Sequence, residues 1–467
     1  MREQTQNRGS RMVYDLVVKD GTIVSSIGIS RADIGIQDGK IAQIAPALNG
    51  REERSAEHML VLPGGVDPHV HIQMPTAMMT TCDTWAGATR AAALGGTTTV
   101  VDFVEPNYPG QPLMQAFEER RALAQGQSAI DYAFHMTLCS SAPETLRQVP
   151  EVLEAGMPSF KVYTTYTGFH LADEELLAVL RCVAAAGGLT IVHAESDAII
   201  QDAVARLLAE GQQSVADFPL SRPEIAEKEA IQRVLTLADY ANAPVYIVHV
   251  STRSGAEAIT NARKKGQPAW GETCPQYLLL DESRIMTGQF EGAKFVCCPP
   301  LRTPDDQAAL WSALQAGDLQ TVGTDHCAFN FIGQKQLGKE SFLNIPSGLP
   351  GIELRMTLLY TYGVKNGYLS LTDWINRCCT TPARLFGLYP HKGDIQPGFD
   401  ADLVIFDPDW RGMATQSALH ENVDYTPYEG FELSGRVKST LLRGRFLVSD
   451  GEWTGAPPAG KFICGNP

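Results

Sequence analysis

Residues 64–71 read GGVDPHVH and follow a short apolar run at residues 59–62. Side chains two positions apart on a β-strand project from the same face, so an extended His-x-His directs His69 and His71 to one point. Neutral imidazole is a common ligand of zinc-like metals. Because the motif is short, two histidines on a solvated strand end explain it equally well in isolation. Matching residues at later strand ends decide between these interpretations.

The middle of the chain alternates apolar segments with helix-like segments, which indicates a parallel sheet buried on both faces. Together with the His-x-His strand, the predicted strands are residues 98–103, 132–138, 159–163, 190–194, 245–250, 268–273 and 320–325. The predicted helices are residues 85–94, 144–155, 173–186, 222–241, 255–265 and 304–316. Eight such units predict an α/β protein with a closed (β/α)8 TIM-type barrel. A doubly wound open sheet is the alternative, but it predicts no chemistry at every strand end.

Both ends of the chain have the pattern of antiparallel β-structure. Alternating runs between Tyr14 and Ile44 are interrupted by Asp-Gly, a strong hairpin signal, and similar runs return at residues 401–407 and 437–453. We therefore predict one small β-sandwich domain built from both chain termini, with independent end caps as the alternative. The predicted division is a flexible extension at 1–11, a composite sandwich domain at 12–63 and 392–467, and a barrel at 64–391.

Size and composition bound the class of protein. A chain of 467 residues accommodates a barrel of roughly 250 residues or more with a small second domain. The net charge of −15 argues against a nucleic-acid partner, and no apolar stretch reaches the ~18 residues of a membrane span. The ten cysteines form no Cys-x-x-Cys pair, which favours free thiols and a reducing cytoplasm.

Ionisable side chains stand at the predicted carboxyl ends of separate strands, where barrels of this type collect their functional groups. In chain order they are His69, His71, Lys161, His193, His249 and Asp325. Each has an ordinary structural explanation, but together they predict a metal site. Lys161 is the exception, because an ammonium cannot bind a cation and an ion pair is its usual role. Reaction with carbon dioxide would convert it to an anionic carbamate that can bridge two metals.

These residues lie in motifs that carry a family resemblance. The motifs are His-x-His, SFK (159–161), VHAE (192–195), IVHVS (247–251), GTDH (323–326), GGTTTVVDF (95–103), SRPEIAEKEA (221–230), ETCPQYLLLD (272–281), PPLRTPDDQ (299–307), TTPARLFGLYP (380–390) and KGDIQPGFDADLVIFDP (392–408). The chain resembles the D-hydantoinase/dihydropyrimidinase family, the cyclic amidases of the amidohydrolase superfamily, from about Met12 nearly to its C-terminus. ETCPQYLLLD favours the bacterial hydantoinases.

The resemblance implies two zinc ions per subunit, bridged by N6-carboxylated Lys161. In the family pattern His69, His71 and Asp325 bind one metal, and His193 and His249 bind the other. The metals would activate water, and Asp325 would carry its proton to the departing ring nitrogen. Tyr166 matches a tyrosine that donates a hydrogen bond to the developing oxyanion. His135 matches no family ligand, and core packing explains it. His326 is not assigned as a ligand, and either support of the ligand residues or packing explains it.

Substrate recognition in relatives uses backbone groups on two loops. The corresponding residues are Cys298, where relatives often have Ser, and Ser347, where they usually have Asn, so the ring preference of this chain is open. Met74, Met78, Met79 and Phe169 are predicted to form an apolar lid that favours an apolar or aromatic substituent.

The implied reaction opens a small-molecule substrate, a 5-substituted hydantoin or dihydropyrimidine, to the N-carbamoyl amino acid. Allantoinase and cyclic imide hydrolase are alternatives within the superfamily, whereas dihydroorotase is disfavoured because no Arg directly follows His71. A non-catalytic scaffold, like the collapsin response mediator proteins, is the alternative from another class. The family also implies a homotetramer, in which residues 452–467 form either an arm onto a neighbouring subunit or a disordered tail.

Overall fold

The computed structural model describes residues 13–76 and 78–466. The predicted extension at 1–11 lies outside the described residues. The strands are β1 (Val13–Ser25), β2 (Gly28–Gln37), β3 (Lys40–Ala45), β4 (Asn49–Ser55), β5 (Leu60–Pro63), β6 (Gly65–Val70), β7 (Thr97–Val104), β8 (Asp131–Thr137), β9 (Ser159–Tyr163), β10 (Leu189–His193), β11 (Val245–Ile247), β12 (Ala269–Thr273), β13 (Thr321–Val322), β14 (Leu403–Met413), β15 (Glu432–Leu442), β16 (Arg445–Ser449) and β17 (Glu452–Trp453).

The α-helices alternate with these strands in the middle of the chain. They are α1 (Trp85–Leu94), α2 (Leu113–Ala124), α3 (Pro143–Leu146), α4 (Val149–Glu154), α5 (Asp173–Ala185), α6 (Asp197–Ala209), α7 (Phe218–Ser221), α8 (Glu224–Ala241), α9 (Arg253–Lys264), α10 (Pro275–Leu279), α11 (Pro304–Ala316), α12 (Arg355–Leu358), α13 (Leu371–Ile375) and α14 (Thr381–Leu385). Local chemistry sets several ends: Thr84 caps α1, and Thr303 and Asp306 form a capping box at α11.

Eight parallel strands form the barrel, in the order β6 to β13. The seam between β13 and β6 is joined by side-chain and bridge contacts. The Thr324 hydroxyl donates to Asp67 over 2.7 Å, and Val70 bridges His326 in parallel. All eight residues of β7 are buried, as expected for a strand with helices on one side and the barrel interior on the other. The predicted (β/α)8 barrel is confirmed.

The two chain ends build a second, nine-stranded mixed sheet, in the order β17-β16-β15-β14-β5-β1-β2-β3 with β4 pairing with β1. Its two halves share one apolar core. Ile34 of β2 and Ile41 of β3 lie in the same buried cluster as Leu403 of β14 and Leu441 of β15. The small β domain built from both termini is therefore confirmed, and independent end caps are excluded as a description of the fold.

One local prediction about the N-terminal β-structure was wrong. Asp20 and Gly21 do not form a hairpin turn but lie inside β1, at a shift of register with β2. A Cβ on Gly21 would come 2.4 Å from Val61, so close packing explains the glycine. The apolar run before the His-x-His motif is β5, which pairs with β14 in the terminal sheet, whereas His69 lies in the separate strand β6.

The helix predictions also needed correction. α2 and α6 had not been predicted. Charged and polar residues dilute the apolar residues of α2, whereas α6 buries Ile200, Ala203 and Leu207 at helical spacing, a signal that was overlooked. The predicted helix at 144–155 is two short helices, α3 and α4, which are joined through Arg147 and Gln148. Pro150 stands at the start of α4, where its missing N–H costs no intrahelical hydrogen bond.

The last described residues lie along the amino end of the chain's own barrel. Tyr132 N–H donates to the Lys461 carbonyl over 3.0 Å, and Ile463 N–H donates to the Tyr132 carbonyl over 2.8 Å. Phe462 stacks on Phe134 with ring centroids 5.8 Å apart. Across residues 13–76 and 78–466, no helix is both long enough and apolar enough to cross a membrane.

Candidate active site

The predicted site residues come from six different strands of the barrel and from the segments that follow them. His69 lies in β6, Lys161 in β9, and His193 is the last residue of β10. His71, Tyr166, His249, Cys298, Asp325 and Ser347 follow β6, β9, β11, β12 and β13. The carboxyl ends of parallel strands meet at one end of a barrel, so all nine residues lie at the same rim.

His69 and His71 converge on Asp325 in a buried group. Oδ1 of Asp325 lies 3.2 Å from Nε2 of His69 and 3.3 Å from Nε2 of His71. The ligand atoms of the three residues lie within 4.8 Å of one another. Burial opposes ionisation of Asp325, but the neighbouring His69 and His71 lower its pKa below the usual value. The group therefore combines two imidazoles with an ionised carboxylate.

A carboxylate on a different strand fixes the orientation of His69. Nδ1 of His69 lies 2.7 Å from Oε1 of Glu272 in β12. Nε2 of the same ring is buried and makes no hydrogen bond to the described residues. Burial also lowers the pKa of His69 well below its usual value, so the ring is neutral. Because Glu272 holds Nδ1, Nε2 of this neutral imidazole faces Asp325 and the other ligand residues, the orientation that histidine ligands of metals adopt beside a carboxyl group.

His193 and His249 form a second pair of neutral rings beside the first. Their centroids are 4.6 Å apart, and His249 lies 5.5 Å from His69. Burial lowers the pKa of both rings. Nε2 of His193 lies 2.7 Å from Oε2 of Glu195, whose carboxylate Arg222 holds with three hydrogen bonds. The Glu195–Arg222 pair thus orients His193 as Glu272 orients His69.

Lys161 lies beneath these rings and is 1% exposed. Its Nζ is 5.1 Å from the centroid of the Phe103 ring and 5.0 Å from that of Tyr163. The rings of His69 and His71 each lie 4.8 Å from the same Phe103 ring. Burial lowers the pKa of the Lys161 ammonium to about 8. A larger share of this amine is therefore neutral than in an exposed lysine, and the neutral form is the one that reacts with carbon dioxide.

The backbone is strained at several of these residues. Tyr166, His249 and Asp325 have φ values of +75°, +40° and +52°. Side chains other than glycine rarely adopt this left-handed region, and such conformations concentrate at functional sites. At Gly323 close packing requires a glycine. A Cβ at this position would lie 2.7 Å from Oε2 of Glu272 and 3.0 Å from Cβ of His69.

Tyr166, Cys298 and Ser347 meet at the open side of the site. The thiol of Cys298 contacts the side chains of both other residues. The Tyr166 ring lies 5.0 Å from that of His193, and the Arg222 guanidinium lies 5.1 Å from its centroid. Burial raises the pKa of Tyr166 well above its usual value, so its hydroxyl keeps its proton and can donate it in a hydrogen bond.

The predicted lid residues differ in exposure. Met78 is 47% exposed, whereas Met74 is buried against Cys327 and Phe329, with its sulfur 3.2 Å from Nδ1 of His71. Met74 therefore supports a histidine and does not cover the site. Phe169 packs on Tyr163 with ring centroids 5.3 Å apart.

Two further histidines use both ring nitrogens for hydrogen bonds and are not free to bind a metal. His135 contacts Ser159 Oγ over 2.6 Å and the Pro68 carbonyl over 2.9 Å. His326 lies 3.0 Å from Asp83 Oδ2, and its Nδ1 accepts from Gly351 N–H over 3.2 Å. His135 is packed as predicted, and His326 is held by Asp83 and the Gly351 N–H.

Sequence reasoning missed three charged residues that orient this site: Glu195, Arg222 and Glu272. Each lies in a motif that carries the family resemblance, but no spacing rule assigned it a role. Glu195 stands two residues after His193, so the pair shares one strand-end face, and that spacing was the one signal available. Glu272 and Arg222 reach their partners only through the closed barrel.

The donor set fits a pair of zinc-like ions. Four imidazoles and one carboxylate converge, burial keeps the rings of His69, His193 and His249 neutral, and one imidazole nitrogen is buried without a hydrogen bond among the described residues. Nitrogen donors from histidine together with carboxylate oxygens are typical of catalytic zinc sites. The arrangement has the chemistry of a metal-dependent hydrolase, with a protonated Tyr166 at its edge.

Comparison with known proteins agrees with this geometry. The profile of the amidohydrolase family matches residues 60–447, and that of the N-terminal domain of the urease alpha-subunit matches residues 1–67. A D-hydantoinase of Streptomyces coelicolor is 42% identical over 96% of this chain and 97% of its own length. A D-hydantoinase of Geobacillus stearothermophilus is 43% identical, with 96% of each chain covered.

Comparison with solved structures identifies the same family. A dihydropyrimidinase from Brevibacillus agri superposes with a TM-score of 0.95 at 40% identity, covering 96% of this chain and 98% of that one. An L-hydantoinase from Arthrobacter aurescens superposes with a TM-score of 0.89 at 31% identity, covering 97% and 100%. The chain therefore belongs to the amidohydrolase family, in the group of D-hydantoinases and dihydropyrimidinases, and it is a hydrolase that acts on cyclic amides.

Proposed function

We propose that this enzyme uses two zinc ions to open a 5-substituted hydantoin or dihydropyrimidine ring to the N-carbamoyl amino acid. The observation that carries the proposal is Nε2 of His69, which is buried without a hydrogen bond among the described residues, lies 3.2 Å from Asp325 and is directed toward the other ligand residues by Glu272. The identity to D-hydantoinases along almost the whole chain supports the choice of ring.

Six side chains would hold the metals. His69, His71 and Asp325 would bind one ion, His193 and His249 the other, and N6-carboxylated Lys161 would bridge them. When bound, the ions supply a nucleophile by lowering the pKa of a water molecule toward neutrality. The burial of Lys161 and its pKa of about 8 favour the neutral amine that carboxylation requires.

Asp325 and Tyr166 would do the acid–base and electrostatic work. The Asp325 carboxylate, ionised beside two imidazoles, would accept the proton of the attacking water and return it to the departing ring nitrogen. The Tyr166 hydroxyl, which stays protonated, would donate a hydrogen bond to the oxygen on which negative charge develops. A preorganised donor of this kind typically contributes ~3 kcal/mol to transition-state stabilisation.

The segments that contain Cys298 and Ser347 would grip the imide or amide edge of the ring through their backbone groups. We refer to residues 296–299 and 346–349 together as the ring cradle. Backbone recognition tolerates the Cys and Ser that replace the Ser and Asn of relatives. Allantoin and cyclic imides present a similar edge, so allantoinase and cyclic imide hydrolase remain the alternatives within the family.

A non-catalytic scaffold is the alternative from another class. Such a protein has no need of buried, neutral imidazoles oriented by carboxylates. This chain keeps every ligand type, and two of the ligand histidines have their own orienting carboxylate. Both observations favour the enzyme.

The remaining proposals concern organisation. The domain boundary near residue 63 is supported by the step from β5 in the terminal sheet to β6 in the barrel. All ten cysteines are free thiols, which supports a cytoplasmic location. A homotetramer is proposed from the family resemblance.

The deciding experiment is an assay of the purified enzyme, with zinc and bicarbonate present, on 5-substituted hydantoins, dihydrouracil, allantoin and cyclic imides. We expect two zinc ions per chain and fastest turnover of a 5-substituted hydantoin or dihydrouracil. A chelator should remove zinc and activity together, and zinc should restore both. A protein that purifies without stoichiometric metal and hydrolyses none of these rings contradicts the proposal.

A further inference from the structure

Lys335 is a buried lysine outside the metal group. It begins the short 3-10 helix Lys335–Gly338, in the long connection that follows β13. Its side chain is 0% exposed. Its Nζ donates to the Val296 carbonyl over 3.1 Å and to the Pro346 carbonyl over 3.0 Å.

This ammonium is held by backbone groups. Among residues 13–76 and 78–466, both groups that accept a hydrogen bond from Lys335 Nζ are backbone carbonyls and neither is a carboxylate. Burial lowers the pKa of Lys335 to about 8, and its nearest ionisable neighbours include the thiols of Cys297 and Cys327. Burying a cation without a counter-ion is costly, and an apolar side chain would fill the same space at lower cost. The two hydrogen bonds that Lys335 donates therefore explain why an amine stands at this position.

The two carbonyls that Lys335 binds belong to the two halves of the ring cradle. Val296 is two residues before Cys298, and Pro346 directly precedes Ser347. The Val296 carbonyl also accepts a hydrogen bond from Gly348 N–H over 3.0 Å, so this oxygen joins the two halves directly. Lys335 makes a second connection between the same two segments from beneath.

We propose that Lys335 is a positioning residue that fixes the spacing of the two halves of the ring cradle and thereby sets the affinity for the cyclic substrate. The inference rests on the proposed function. Donation to the carbonyls of Val296 and Pro346 also polarises the peptide groups that carry the N–H of Cys297 and Ser347. Polarised amides are stronger donors toward a ring carbonyl.

The test compares Lys335→Met, an unbranched side chain one atom shorter that removes the donors, with Lys339→Met at an exposed lysine four residues later. Steady-state kinetics on 5-phenylhydantoin and dihydrouracil are measured together with zinc content. We expect Lys335→Met to raise KM at least about tenfold with kcat within about threefold of wild type, because the cradle binds ground state and transition state alike. Zinc content should stay at the wild-type level, and Lys339→Met should change neither constant.

Unchanged KM in Lys335→Met overturns the inference, and so does loss of zinc, which would place the effect at the metals. If the Met variant is insoluble, Lys335→Gln, which keeps one donor group, is measured for the same KM-against-kcat split and judged by the same outcomes. The proposed function fails separately, in the wild-type enzyme, if none of the rings is hydrolysed. A hydrolysing wild type with an unchanged KM in both variants leaves the proposed function standing and removes Lys335 from it.

Discussion

Two clusters of ionisable residues lie at opposite ends of the barrel, and only one of them has the character of an active site. At the amino end, Asp131, Asp400 and Asp402 bring carboxylate oxygens within 4.8 Å of one another, the same limit that the rim group of His69, His71 and Asp325 meets. At this end the ammonium of a lysine binds all three carboxylates. Lys392 Nζ lies 2.5, 2.9 and 2.7 Å from the three aspartates.

The difference lies in whether the polar atoms already have partners. We call Asp131, Asp400, Asp402 and Lys392 the base cluster. Arg443 also binds Asp131, and Lys461 N–H donates to the same carboxylate over 2.8 Å, so groups of the chain itself compensate the negative charge of the base cluster. At the rim, Nε2 of His69 is buried and makes no hydrogen bond among the described residues, although Asp325 lies 3.2 Å away, and the neighbouring His249 is a neutral imidazole. Proximity of ligand-type residues therefore does not distinguish a metal site from a structural ion cluster, but ligand atoms without hydrogen bonds do.

The largest expected effect at the rim is that of Lys161→Ala. Removing the proposed bridge should release zinc and remove the activation of water, a loss of several kcal/mol or ~10⁴-fold in kcat. Metal analysis and turnover are measured on the same sample, and acetate or formate should partly restore both. Wild-type activity in this variant would show that the carbamate has no role.

Asp325→Asn should have the next largest effect. The amide cannot accept a proton from water, so we expect kcat to fall by at least about 10³-fold. Zinc content is determined alongside, because Asp325 also lies beside His69 and His71. Turnover near the wild-type rate would exclude Asp325 as the proton carrier.

Lys392→Met tests the cluster of aspartates at the amino end of the barrel. It leaves Asp131 and Asp402 buried at the base, with Arg443 on Asp131 and the exposed Lys40 on Asp400 as the remaining side-chain cations of the group. We expect the free energy of unfolding to fall by about 3–5 kcal/mol. Lys40→Met is the matched control, because Lys40 binds Asp400 over 2.8 Å from an exposed position and should contribute at most ~1 kcal/mol. Denaturant unfolding measures both variants. Zinc content and kcat should not change, and a loss of zinc in folded Lys392→Met would break the distinction between the clusters.

The smallest effect is expected for Tyr166→Phe. Loss of one oxyanion donor should lower kcat about 10²-fold while zinc stays bound. Tyr108→Phe, at a residue that is 50% exposed, serves as the control and should be silent. If Tyr166→Phe turns over normally, Tyr166 is an aromatic residue of the lid and not a donor to the reaction.

Much of the fold could be predicted because its signals are local. Strand β9 and helices α1 and α11 have the predicted bounds, since apolar periodicity and capping residues lie within each segment. The hairpin turn predicted at Asp20-Gly21 was wrong because the same dipeptide occurs both in hairpin turns and in β-bulges. Only the pairing of β1 with β2 determines which of the two forms here. α2 was missed because packing against the barrel, and not intrinsic pattern, makes it a helix.

The sequence by itself determined which side chains stand at the strand ends, because position along a strand is a local property. The tertiary structure decided what those side chains do there. Glu272, which orients His69, lies 203 residues away from it in the chain. Lys392 neutralises Asp131 across 261 residues. Partners at such separations are brought together only by closure of the barrel and by docking of the terminal sheet, and they decide which polar atoms remain free to bind a metal.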